Sequence, residues 1–203
     1  MAFDNIYNTL SGYNITLIKT HSLDFRHLAK DYPLLGIESF DESYFHGHNG
    51  FNRLMLSDEF YERFSDSEYI LIAKLDSYIF SDQLLTFCEK GYDYISVPSV
   101  ENKSIKAGGC ESIALRKVKS HLSALKKYDG KRNLYLTERT EEHKFWLHEV
   151  PEFKLPDAEQ MLTFAFGQSP ESCYALNNNI LPFACVGWHS RGVIVKFWEK
   201  YIG

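Results

Sequence analysis

The run Tyr69-Ile70-Leu71-Ile72-Ala73, followed at once by Lys74-Leu75-Asp76, is the stretch that most narrows the folds open to this chain. Five apolar residues without alternation suit a strand covered on both faces, the kind found in parallel α/β sheets. Just before it, Leu54, Leu56, Phe60 and Phe64 recur at near-helical spacing, with Ser57 and Asp58 as candidate N-caps. The order is helix, turn, buried strand, then a carboxylate at the strand's carboxyl end. In open α/β sheets, ligands sit just outside those ends. Asp76 is therefore placed to meet a cation or a sugar hydroxyl. Its alternative role is that of an ordinary turn residue.

Strand and helix patterns alternate along the rest of the chain. Asp4–Leu10 reads as a short helix ended by Gly12, and Asn14–Lys19 as a strand. Leu23–Lys30 reads as a helix capped by Ser22, and Gly36–Phe40 as a strand. Asp41–Gly50 is a polar loop holding His46 and His48, a weak metal pair. Ser81 opens a helix that runs to Cys88 or Glu89, and Asp93–Pro98 is a further strand. Val100–Gly109 reads as a polar loop, Cys110–Leu115 as a strand, and Arg116 as the start of a helix to Lys127. Asp129-Gly130-Lys131 reads as a turn, Leu134–Leu136 as extended, and Thr137 or Thr140 as the start of a helix ending near His148. Pro156 opens a helix, and Val193–Tyr201 is a terminal one. With no repeat and no low-complexity linker, the pattern predicts one α/β domain over residues 1–203.

At 203 residues the chain is long enough to bury a substantial core. A net charge of −5 argues against nucleic acid or an anionic membrane as partner. Its four cysteines have neither metal-type nor redox-type spacing, which predicts free thiols in a reducing compartment. The start lacks a basic-then-apolar leader, and no run approaches the roughly 20 apolar residues of a transmembrane span. These features predict a cytoplasmic protein, peripheral to a membrane's inner face at most.

Phe51-Asn-Arg-Leu-Met-Leu-Ser57, Lys74-Leu-Asp-Ser-Tyr-Ile-Phe80 and Asp93-Tyr-Ile-Ser-Val-Pro98 together carry a family resemblance. They resemble a bacterial glycosyltransferase-like family of GT-A type, originally of unknown function, that occurs with surface-polysaccharide genes. That family's pattern reads Tyr-Asn-Arg-Leu-Met-Leu-Ser, then Gln-Leu-Asp-Ala-Phe-Val-Phe, then Asp-Tyr-Ile-Gly-Ala-Pro-Trp. The resemblance implies a GT-A-like, Rossmann-like fold: a mostly parallel sheet flanked by helices. It implies a nucleoside-diphosphate sugar as donor and a glycan or lipid-linked glycan as acceptor.

The same resemblance implies site residues. Asn52 and Arg53 would lie beside the donor, Arg53 offering its fork of donors to phosphate or sugar oxygens. Asp76, Ser77 and Tyr78 stand where glycosyltransferases of GT-A type have Asp-x-Asp, which makes Asp76 the candidate metal ligand. Tyr78 is no carboxylate, and Val186 replaces a C-terminal His. Both departures weigh against a divalent cation, Mn²⁺ or Mg²⁺. Glu111 and Ser112 occupy positions where the family has paired glycines, so side chains would intrude where backbone approaches the sugar. Thr140–Trp146 matches Glu-Asp-x-Phe-Trp, with Glu142 at the Glu and His143 at the Asp. Either is a candidate base, or both simply form a polar first helical turn.

Members of that family usually begin with a strand lying mid-sheet, and no such strand precedes Asp4. Three arrangements answer that expectation: a natural start further upstream, a second copy or partner chain completing the sheet, or an incomplete donor site. The clustered departures give the main alternative to an enzyme, a non-catalytic glycosyltransferase-like subunit that binds a glycan or a partner protein. A third reading is an unrelated doubly wound binding protein.

Overall fold

The expected strand Tyr69–Ala73 (β3) pairs antiparallel with a long strand, Ser104–Lys117 (β6), in the register Ile70↔Arg116 and Ile72↔Ala114. A computed structural model describes residues 2–47, 49–101, 104–189 and 193–202. On its other side β6 pairs antiparallel with Tyr94–Glu101 (β5), giving a three-stranded sheet in the order β3-β6-β5. Thr16–Thr20 (β1) and Gly36–Phe40 (β2) form a separate parallel pair. In a third sheet Ala184–Val186 (β8) lies between Ser77–Ile79 (β4), antiparallel, and Ala165–Phe166 (β7), parallel.

The chain is thus mixed α/β, but the sheets are largely antiparallel, which corrects the expectation of a mostly parallel Rossmann-like sheet. The reason lies in the polar stretch read as a loop. Glu101 pairs with Ser104, so β5 turns straight back into β6 as a hairpin. Two strands joined that tightly must run antiparallel, because a parallel pair needs a long crossover. The register shifts around Val97 mark a bulge in this hairpin. There, the extra residues 111–113 on β6 bend the strand.

The helices follow the sequence more closely, among them Ala2–Thr9 (α1) and Leu84–Glu89 (α4), with several corrections. Gly50–Met55 (α2) and Asp58–Arg63 (α3) are two helices, divided at Ser57, whose Oγ accepts from the Phe60 amide at 3.2 Å. Arg116 lies within β6, which ends at Lys117, and the helix begins at Val118 (α5, Val118–Lys127). The predicted turn and extended segment at 129–136 are one helix, Asp129–Glu138 (α6). Leu23–Lys30 yields only a 3-10 turn at Arg26–Lys30, and the polar loop holds another at Glu42–Phe45. Glu142–His148 (α7) starts after the expected Thr137 or Thr140, and Ala158–Phe164 (α8) starts two residues after Pro156, capped by Asp157. His48 lies outside the described residues.

Side-chain alternation on the central sheet explains its two cores. Ile70, Ile72, Tyr94 and Ala114 face a cluster with Leu54, Phe60, Tyr61, Leu125, Phe145 and Trp146. Leu71, Ala73, Ile95, Ile113 and Leu115 face the other side, against Ile6, Phe87, Phe164 and Phe183. Beside β1, Ile18 packs on the first cluster and Ile15 on the second. β1 and β3 thus flank the same two cores, yet each has hydrogen-bonded neighbours on one edge only among the described residues.

Candidate functional site

The end of β3 sets the site. Alternation carries Ile70 and Ile72 on to Lys74, which lies opposite Ser112 on β6, and the Lys74 amide donates to the Ser112 carbonyl at 2.8 Å. The Ser77 amide donates to the Lys74 carbonyl at 2.9 Å, closing a four-residue turn that carries Leu75 and Asp76. Buried Ser77 also donates its hydroxyl to the Ser112 carbonyl at 3.1 Å. Ser112 Oγ then donates to Asp76 Oδ2 at 2.8 Å, and the Gly187 amide donates to the Asp76 carbonyl at 2.9 Å. Asp76 Oδ1 is sealed from solvent and accepts no hydrogen bond among the described residues. Ser112, read from sequence as an intrusion, instead fixes the carboxylate. Burial and the nearby Asp76 charge push the Cys185 thiol up.

Tyr78 points the other way. Its ring packs 5.3 Å from Phe80 and 5.9 Å from Trp188, in a third apolar cluster with Cys185 and Trp198. Val186 is buried opposite Ser77. Among the described residues no group of three or more His, Cys, Asp or Glu is placed to hold a metal ion.

Three successive residues of α2 serve three different neighbours, as the 100° step of a helix requires. The Phe51 ring lies 3.7 Å beneath Lys74 Nζ. Asn52 is buried, and its Oδ1 accepts from the Glu142 amide at 3.3 Å, satisfying an orphan donor in the first turn of α7. Arg53 turns away from Phe51 and donates to the carbonyls of Ser43 and His46. It lines a shallow hollow of about 360 Å³ with Tyr44, Asp58, Glu59 and Arg132. No hydrogen bond or ion pair joins Arg53 to Asp76 among the described residues. A second hollow, about 380 Å³, lies at the end of β1 between Lys19, His21, Asp24 and Arg26. Neither hollow includes Asp76 or His143.

Glu142 is fully buried, and both of its oxygens are taken. Arg116 Nη2 donates to Oε1 at 2.7 Å, and Trp146 Nε1 donates to Oε2 at 2.5 Å. Arg116 is equally buried and donates from Nη1 to the Tyr61 hydroxyl at 2.8 Å, which donates on to the Met55 carbonyl. Burial alone would lower the Arg116 pKa, but Glu142, Tyr61 and Tyr94 more than offset it and hold it above the usual guanidinium range. A carboxylate so enclosed fixes the start of α7 and cannot reach an acceptor hydroxyl. The next residue, His143, is the one presented to the bent part of β6.

His143 is 7 % exposed and lies against Gly108. Gly108 has φ of +81°, and a Cβ there would stand 2.9 Å from Leu147 Cδ1 and 3.0 Å from His143 Cδ2. Only glycine fits without strain. Three contacts thus mark this part of the molecule: Lys74 over Phe51, Ser112 on Asp76, and His143 against Gly108. Sequence reasoning missed Lys74 and Phe51, although the alternation from Ile70 through Ile72 signalled the side on which Lys74 emerges. The role of Ser112 carried no sequence signal, because its partner Asp76 is reached only through the strand pairing.

No helix among the described residues is long and apolar enough to cross a membrane. No curated protein matches this sequence. Among solved structures, a glycosyltransferase involved in the glycosylation of the major capsid of PBCV-1 superposes with a TM-score of 0.48 at 13% identity. The superposition covers 93% of this chain and 98% of that one, and at so slight a likeness it carries no weight on activity. Residues 35–186, a span that holds Asp76, Ser112 and His143, match the family described as protein of unknown function (DUF5672), and the chain belongs to that family.

Proposed function

We propose that the protein is a glycosyltransferase that moves a sugar from a nucleoside-diphosphate sugar to a glycan or lipid-linked glycan, in the setting of bacterial surface-polysaccharide synthesis. The observation that carries this reading is Asp76. Its Oδ2 is pinned by Ser112, while Oδ1 is sealed from water with no donor among the described residues. Leaving such an acceptor unmet is costly, and a ribose or sugar hydroxyl is the donor it suits. The motif resemblance in the sequence supports the same assignment.

In this reading His143 takes the proton of the acceptor hydroxyl as that oxygen attacks the sugar. Asn52, Glu142 and Arg116 position His143 through the start of α7. Arg53 ties α2 to the segment before it through the Ser43 and His46 carbonyls. The test is thermal unfolding with a panel of UDP-, GDP- and CMP-sugars. The expected result is stabilisation by one donor class that Asp76→Asn abolishes. No stabilisation by any member of the panel would overturn the proposal.

A second reading, a non-catalytic subunit that binds a glycan or partner protein, is favoured by one observation. Glu142, one of the two candidate bases, is locked in an ion pair. Donor binding without turnover on any acceptor, unchanged in His143→Ala, is the outcome that selects it.

A further inference from the structure

A divalent cation is the usual neutraliser of a departing diphosphate, but the residues here do not fit one. Asp76 brings a single carboxylate, the Tyr78 ring is committed to Phe80 and Trp188, and Val186 is apolar and buried. Mg²⁺ and Mn²⁺ favour several oxygen ligands, and among the described residues no metal-holding cluster forms.

We propose that Lys74 supplies the positive charge that binds the donor diphosphate, in place of a metal ion. This deepens the glycosyltransferase reading and rests on it. Lys74 is half-buried just past the end of β3, and its amide donates to the Ser112 carbonyl. Ser112 in turn holds Asp76, so one serine is bonded both to the Lys74 backbone and to the Asp76 carboxylate. The Phe51 ring beneath Nζ fixes where the ammonium stands. A point charge with rotatable donors is a suitable phosphate partner, and it tolerates the changing geometry of a leaving group. Lys74 also stands where the resembling pattern has Gln, so the charge belongs to this chain.

In the transfer, the acceptor oxygen forms a bond to the anomeric carbon. The bond from that carbon to the diphosphate oxygen breaks, and its electron pair stays on that oxygen. The acceptor's proton passes to His143. Lys74 neutralises the charge that develops on the leaving oxygen and is itself unchanged.

The experiment is calorimetric titration of UDP, GDP and inorganic pyrophosphate into the protein in EDTA, then in Mn²⁺, for wild type, Lys74→Gln and Lys74→Arg. Unfolding midpoints confirm that the variants are folded. The expected result is metal-independent binding of a nucleoside diphosphate, weakened about tenfold or more in Lys74→Gln, the scale of a lost charge-assisted contact. Lys74→Arg should retain most of the affinity. Binding that requires Mn²⁺ and is unchanged in Lys74→Gln would overturn the role of Lys74 and leave the glycosyltransferase reading standing. No binding of any of the three, with or without Mn²⁺, would overturn both.

Discussion

Arg116 and Glu142 meet at 2.7 Å with neither side chain exposed to solvent. The pair joins the carboxyl end of β6 to the first turn of α7, with Tyr61 accepting from Arg116 and Trp146 donating to Glu142. Removing one member leaves the other charge buried and uncompensated. Glu142→Ala should therefore destabilise the fold by about 3–5 kcal/mol. Replacing both, in Arg116→Met with Glu142→Leu, should cost less than the two single changes summed. Urea unfolding of the four proteins measures this coupling.

His121 lies in the same core, stacked 5.1 Å from Tyr61 and tilted against Trp146 at 4.4 Å. Its Nδ1 lies 2.9 Å from the Lys117 carbonyl. Burial first, and the Arg116 charge second, hold its pKa well below the usual 6.5. The folded protein thus keeps this imidazole neutral, while the unfolded chain protonates it below about pH 6.5. The unfolded state then binds more protons, so the stability owed to neutral His121 is complete above that pH. It is lost as pH falls from 6.5 toward the folded-state pKa, at up to about 1.4 kcal/mol per pH unit. His121→Phe should flatten the dependence of unfolding free energy on pH between 6.5 and 5. An unchanged slope would show that other groups carry it.

The parts legible in the sequence were those set by near neighbours. The apolar run of β3 and the Ser57 cap needed nothing beyond local pattern. The antiparallel sheet was not legible, because the polar residues around Glu101 and Ser104 carry no apolar period, and pairing across the hairpin holds them extended. Asp129-Gly130-Lys131 reads as a turn by composition. Arg132 reaching Asp58 at 2.7 Å and Tyr135 packing on Phe145 make it helical. Asp76 was legible at the strand end. The engagement of Glu142 was not, since its partner Arg116 lies 26 residues away in sequence.

Gly108 should resist substitution for two independent reasons, its positive φ and the nearness of Leu147 and His143. Gly108→Ala should cost about 1–3 kcal/mol from the backbone alone, as a non-glycine residue is held left-handed. Leu147→Ala in the same chain should recover none of that backbone term, although it relieves the closest contact. Thermal melts of the single and double variants separate the two causes. On the proposed reading, displacement of His143 by the new methyl also slows transfer more than it weakens donor binding.

The Lys74 amide and the Glu68 carbonyl are bonded to Ser112 and Val118, so even-numbered residues of β3 turn their main-chain groups toward β6. Tyr69, Leu71 and Ala73 turn theirs toward the other edge, where no strand pairs among the described residues. An apolar strand with an open edge is a template for further pairing. The protein should therefore self-associate as concentration rises, which sedimentation velocity detects. Ala73→Pro removes one open-edge amide and spares the ladder to β6, since proline is tolerated where an edge N–H goes unused. It should weaken association by roughly tenfold, the worth of about one hydrogen bond. Equal association of wild type and Ala73→Pro would assign the contact to another surface.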